Sequence, residues 1–62
     1  MELTVLFSSY SLYILLEDGT EYVFHNVVDE YENNQGLGIK QSNGKETWIR
    51  IDENKIIKVV RE

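Results

Sequence analysis

Residues 11 to 28 read Ser-Leu-Tyr-Ile-Leu-Leu-Glu-Asp-Gly-Thr-Glu-Tyr-Val-Phe-His-Asn-Val-Val. Two apolar, alternating runs flank the dipeptide Asp18-Gly19. That arrangement predicts a β-hairpin with a type I′ turn, whose two central residues need positive φ, a conformation that Asp and Gly tolerate. A two-residue turn fixes the register, setting Leu15 opposite Tyr22, Ile14 opposite Val23 and Tyr13 opposite Phe24. One face then carries Tyr13, Leu15, Tyr22 and Phe24. The other carries Leu12, Ile14, Leu16, Val23, His25 and Val27. Both faces are apolar, so each needs a cover: closure of the sheet on itself, or a second copy in a homodimer.

Outward from this hairpin, Asn43-Gly44 predicts a second one over residues 36 to 51, by the same turn chemistry. Its register sets Ile39 opposite Trp48, Gly38 opposite Ile49 and Gly36 opposite Ile51. Glycines inside a strand point to a sharp bend, a bulge or the close passage of another backbone. Alternation puts Trp48 and Arg50 on one face with Leu37 and Ile39, and Trp48 is expected in the core rather than exposed as a stacking surface. Residues 29 to 35 are polar and aperiodic, which predicts an exposed connector. A short turn at residues 52 to 54 precedes a β-branched run, Ile56 to Val60, read as the last strand and the one that closes the sheet. Residues 2 to 7 are read as a further strand with Leu3, Val5 and Phe7 inward.

The sum is an all-β chain: one domain over residues 1 to 62, a small SH3-like barrel of five or six antiparallel strands. Sixty-two residues support a single core. No cysteine and one histidine are present, so disulfide or metal staples are not expected to reinforce it.

Residues 15 to 34, with Leu-Leu-Glu-Asp-Gly at their start and Asp29 four positions before Asn33, resemble the first motif of Sm-like proteins. Residues 48 to 57, Trp-Ile-Arg-Ile-Asp-Glu-Asn-Lys-Ile-Ile, are similar to the second Sm motif, with Ile51 where that family has glycine. The resemblance implies a small barrel fold and, as a functional expectation, nucleic-acid binding.

The formal charge is -5, distributed unevenly. Residues 1 to 39 contain seven carboxylates and no Lys or Arg, while residues 40 to 62 contain six basic residues against four acidic ones, hence -7 and +2. Either the halves neutralise each other across the fold, or the acidic half faces a basic partner. Glu17, Asp18 and Glu21 at the hairpin tip, with Asp29, Glu30 and Glu32 beyond it, are the candidate acidic contacts. Tyr10, Tyr13, Tyr22 and Tyr31 exceed the needs of so small a core and are the candidate aromatic anchors, since tyrosine joins an apolar ring to a hydroxyl that can stay wet.

Catalysis needs a nucleophile, a base and an orienting group, and one His with no Cys and no Gly-x-Ser-x-Gly turn does not supply them. A non-enzymatic role without cofactor or metal is expected. His25 is read as a packed or edge residue, and the acidic segment at residues 29 to 34 lacks the spacing of a calcium loop. No apolar run reaches the roughly 18 residues of a membrane helix, and the start lacks the basic residues of a secretory signal, so a cytoplasmic location is expected.

The leading functional expectation is a protein-binding module for a basic partner, the surface suited to a small phage-type inhibitor of a nucleic-acid-handling protein. The alternative, in keeping with the Sm resemblance, is a nucleic-acid site built from Lys40, Lys45, Trp48, Arg50, Lys55 and Lys58. A third is a self-assembling structural subunit joined through strand edges.

Overall fold

The computed structural model describes residues 9–62, all of them strand, turn or irregular, with no helix long and apolar enough to cross a membrane. Five antiparallel strands, β1 (Tyr10–Leu16), β2 (Glu21–Glu32), β3 (Gly36–Gln41), β4 (Glu46–Arg50) and β5 (Ile56–Arg61), form one sheet. Their order is β4-β3-β2-β1-β5. The all-β class holds. Among the described residues the sheet stays open, with β4 and β5 as its two edges and no pairing between them, so β5 extends the sheet beyond β1 without closing it. The strand expected over residues 2 to 7 lies outside the described residues.

Both hairpins form where the Asp-Gly and Asn-Gly dipeptides predict them, but each register is one residue away from the expected one. Leu16 N donates to Thr20 O at 2.9 Å and Gly19 N to Leu16 O at 3.0 Å. Gln41 N donates to Lys45 O and Gly44 N to Gln41 O, both at 2.9 Å. These are three-residue loops, a type I turn followed by a left-handed glycine. Only Gly19 (φ 92°) and Gly44 (φ 90°) adopt positive φ in the turns, whereas type I′ would require it of Asp18 and Asn43 as well. Those two side chains serve the loop otherwise: Asp18 Oδ1 accepts from Thr20 N at 2.8 Å and Asn43 Oδ1 from Lys45 N at 2.9 Å.

The one-residue difference regroups the faces, because side chains alternate with period two. Ile14 faces Tyr22 and Leu12 faces Phe24, while Tyr13 faces Val23. The core side of the first hairpin is therefore Leu12, Ile14, Leu16, Tyr22 and Phe24, a correction to the expected pairing of Tyr22 and Phe24 with Tyr13 and Leu15. In the second hairpin Leu37 faces Ile49, Gly38 faces Trp48 and Gly36 faces Arg50. Trp48 accordingly leaves the core side and joins the glycines.

The twelve-residue β2 serves two neighbours in turn. Its first part pairs with β1 and its second with β3, sharing Val27. Asn26, at φ 57°, sits where the register with β1 shifts, and a second shift against β3 lies between Val27 and Asp29. Ser42 N and Gln41 Nε2, each at 2.8 Å, donate to the carbonyls of Asn26 and His25, so the irregular backbone keeps its hydrogen bonds. The expected connector over residues 29 to 35 is mostly strand: β2 runs to Glu32, and only residues 33 to 35 turn. Asn33 Oδ1 accepts from Gln35 N at 2.8 Å and Gly36 N at 3.0 Å there.

The two shifts flank Val27 and bring it into the core with Leu12, Ile14, Leu16, Leu37, Ile39 and Ile49, all buried. Tyr10, Tyr22, Phe24, Ile51, Ile56 and Val59 pack around this cluster at partial burial. Apolar area removed from water here is the principal force holding the sheet in its bent form.

Candidate functional site

The outer face of β2, β3 and β4 is built in cross-strand rows. Asp29, Lys40 and Glu46 form one, Tyr31, Gly38 and Trp48 the next, and Gly36 with Arg50 the third. A side chain on β3 would hold the two aromatic rings apart and upright. Glycine instead lets them lie down: a methyl added at Gly38 would overlap the Tyr31 ring, and one at Gly36 would overlap the Trp48 ring. The rings form a tilted pair with centroids 6.1 Å apart and 32° between planes. They cover the glycine backbone on one side, yet Tyr31 remains 53% exposed and Trp48 44%. Two large aromatic groups left in water at one place are a candidate contact surface.

The charges around the rings are largely compensated. Arg50, beside Trp48 on β4, donates from Nε to Asp52 Oδ1 at 3.1 Å and from Nη2 to Oδ2 at 2.6 Å. These hydrogen bonds, with the attraction between the charges, hold Asp52 below and Arg50 above their ordinary pKa values. Lys40 lies between Asp29 and Glu46 on the neighbouring strands.

The acidic candidates do not gather on one surface. Glu17, Asp18 and Glu21 lie at the β1–β2 tip, which the 54–55 segment braces. Asp18 N donates to Asn54 Oδ1 at 3.2 Å, Glu17 N to Lys55 O at 2.8 Å, and Lys55 N to Glu17 Oε1 at 3.2 Å. Hydrogen bonds from Thr20 and Asn54 hold the Asp18 carboxyl below its ordinary pKa. Asp29 and the exposed Glu32 belong to the far half of β2. Glu30 turns inward opposite Ile39 and receives Arg61 at both carboxylate oxygens, together with the Tyr10 hydroxyl. Arg61 of the basic half thus pairs with Glu30 of the acidic half, in part as the neutralising alternative expects.

The tyrosines divide in the same way. Tyr10 is bound to Glu30, and Tyr22 stacks on Phe24 at 6.0 Å on the core side. Tyr13 lies on the outer face between Val23 and Val60, near His25, whose Nδ1 is 3.0 Å from Ser11 Oγ. Only Tyr31 pairs with Trp48.

Of the basic candidates, Lys40, Trp48 and Arg50 share the outer ladder, and Lys45 follows the adjoining β3–β4 turn. Lys55 lies beside the acidic tip, while Lys58 is on β5, at the other edge of the sheet. The set is therefore split between opposite edges. Among the described residues no three His, Cys, Asp or Glu side chains converge as metal ligands.

Sequence reasoning missed the Tyr31–Trp48 pair. Its signal was Gly36 and Gly38 at alternate positions of a strand, which is the pattern left when neighbouring aromatics cover a glycine row. No known protein family, characterised protein or solved structure matches the chain.

Proposed function

We propose that this protein is a non-enzymatic, cytoplasmic protein-binding module whose acidic N-terminal half meets a basic partner, in the manner of a small phage-type inhibitor of a nucleic-acid-handling protein. The observation that carries the reading is the braced tip, where Glu17, Asp18 and Glu21 are exposed on a turn whose backbone is tied to residues 54 and 55. Charges on a preordered turn attract an opposite surface without a further ordering cost. Tyr13 and Tyr31, the two tyrosines on outer faces, supply anchors.

The proposal includes an SH3-like or Sm-like identity for the fold, supported by the motif echoes and by a β2 that bends to serve two neighbours. Two other readings have one observation each. The exposure of Trp48 beside Arg50 favours a nucleic-acid binder, although Asp52 already occupies the guanidinium. Edges at β4 and β5 that are open among the described residues favour self-assembly by strand pairing.

The test is capture from host lysate at low and high salt, with bound protein and nucleic acid separated. The bait is compared with a variant carrying Glu17→Lys, Glu21→Lys and Asp18→Asn, the last keeping the turn's acceptor oxygen. Salt-sensitive capture of a basic protein that the variant loses supports the reading. Capture unchanged by the variant, or of nucleic acid instead, overturns it.

A further inference from the structure

We propose that the Tyr31–Trp48 pavement is a docking site for the arginine side chains of a basic protein segment, a reading that rests on the basic-partner function above and assigns its aromatic anchor. Four observations lead there. The two rings lie against the Gly38 and Gly36 backbone, so each offers an outward π-face instead of an edge. They sit side by side, 6.1 Å between centroids, a span over which one planar group can overlap both. Both are about half exposed, so the faces are accessible without a conformational change. The ionic groups in the bordering rows are Asp29, Lys40, Glu46, Arg50 and its partner Asp52, three carboxylates against two cations.

Charge selects among the planar groups that stack on such a surface. A nucleic-acid strand would bring phosphates to the bordering carboxylates of a protein of net charge -5. A guanidinium is planar, weakly hydrated and cationic, so it stacks on the ring quadrupoles and meets Asp29 and Glu46 at the rim. Lysine has the charge without the plane and is held less well.

Trp48 is the chain's single tryptophan, so its emission reports on this site alone. The probes are a labelled peptide of alternating arginine and glycine, the same peptide with lysine for arginine, and a single-stranded oligonucleotide. Affinity is read by anisotropy, with Trp48 emission read in parallel. The expected result is that the arginine peptide changes Trp48 emission and binds more tightly than the lysine peptide. Tyr31→Ala is expected to weaken the arginine peptide by about five-fold, and Tyr31→Phe, which keeps the ring, to leave it within about two-fold. Far-ultraviolet circular dichroism of both variants checks that the sheet is intact.

Arginine-peptide binding with unchanged Trp48 emission and full affinity in Tyr31→Ala overturns this site while leaving the basic-partner reading standing. No binding of either peptide overturns both. Oligonucleotide binding that changes Trp48 emission, with no arginine-peptide binding, overturns the site in favour of nucleic acid. A Trp48 change that follows protein concentration alone overturns it in favour of a second copy.

Discussion

Arg61, on β5, places Nε 2.9 Å and Nη2 2.7 Å from the two carboxylate oxygens of Glu30, on the far half of β2. Glu30 is only 12% exposed at its side chain and also accepts from the Tyr10 hydroxyl, so strands that do not pair are joined through one carboxylate. Arg61 is 56% exposed, and solvent screening keeps the expected loss in Arg61→Ala near about 1 kcal/mol. Glu30→Ala leaves Arg61 and Tyr10 without their acceptor and should cost somewhat more, about 1 to 2 kcal/mol. Urea unfolding of the two variants measures this, and wild-type stability in both would refute the role.

The same carboxylate sets an acid-side dependence. Hydrogen bonding from Arg61, opposed in part by burial and assisted by Tyr10, holds Glu30 below its ordinary pKa. A depressed folded pKa contributes stability that is present above the unfolded value and lost as pH falls through the folded one. The gap in Tm between wild type and Glu30→Gln should thus be full at neutral pH, begin to narrow as pH falls through the ordinary glutamate range, and close only after pH has passed below the depressed folded value. A gap that stays constant throughout acid titration would show that the charge of Glu30 is not what matters.

Gly36 and Gly38 should answer differently to the same substitution. At Gly38 the three atoms nearest an added methyl all belong to the Tyr31 ring, which can swing into solvent. Gly38→Ala should therefore cost about 1 kcal/mol in wild type and become neutral or favourable in a Tyr31→Ala background, where a strand gains from losing a glycine. At Gly36 the methyl also meets the Ile49 carbonyl oxygen at 2.6 Å, and backbone cannot step aside. Gly36→Ala should cost about 2 kcal/mol or more, with no rescue by Trp48→Ala. Equal costs at the two positions, or rescue at both, would contradict the ring-on-glycine geometry.

What the sequence made legible was where the described strands lie, apart from the far half of β2. Asp18-Gly19, Asn43-Gly44 and the β-branched run at 56 to 60 mark them through local chemistry alone. The registers were not legible, because an Asp-Gly or Asn-Gly dipeptide suits both a two-residue turn and the last two positions of a three-residue loop. That single residue moved Trp48 from an expected core position to the exposed pair with Tyr31. Glu30 was read as a surface contact because its fate depends on Arg61, 31 residues away, and on a β2 that continues where polarity suggested a loop.

The turn glycines have open space around the site of a β-carbon, so substitution there tests backbone conformation without packing. Gly19→Ala and Gly44→Ala, at φ 92° and 90°, should each cost about 1 kcal/mol. Asparagine should recover part of that loss, since it enters the left-handed region more readily than alanine. Thermal unfolding distinguishes the cases. Had the turns been type I′, Asp18→Gly would stabilise strongly. With Asp18 at negative φ and its Oδ1 on Thr20 N, that change should lower Tm instead.

Asn26 is the non-glycine residue held at positive φ among those described, and it sits at the bend where β2 passes from β1 to β3. Its carbonyl takes the Ser42 amide, so the side chain can be changed without removing that bond. Asn26→Gly should be tolerated, whereas Asn26→Val forces a β-branched residue into the left-handed region at a cost of about 1 to 2 kcal/mol. The bend also fixes which residues of β2 oppose Gly38. If the valine variant relieves its strain by straightening the strand, Tyr31 moves off Gly38 and Trp48 emission shifts under native conditions. If stability falls with no shift in emission, the bend absorbs the strain locally and the outer aromatic pair is set by β3 and β4 alone.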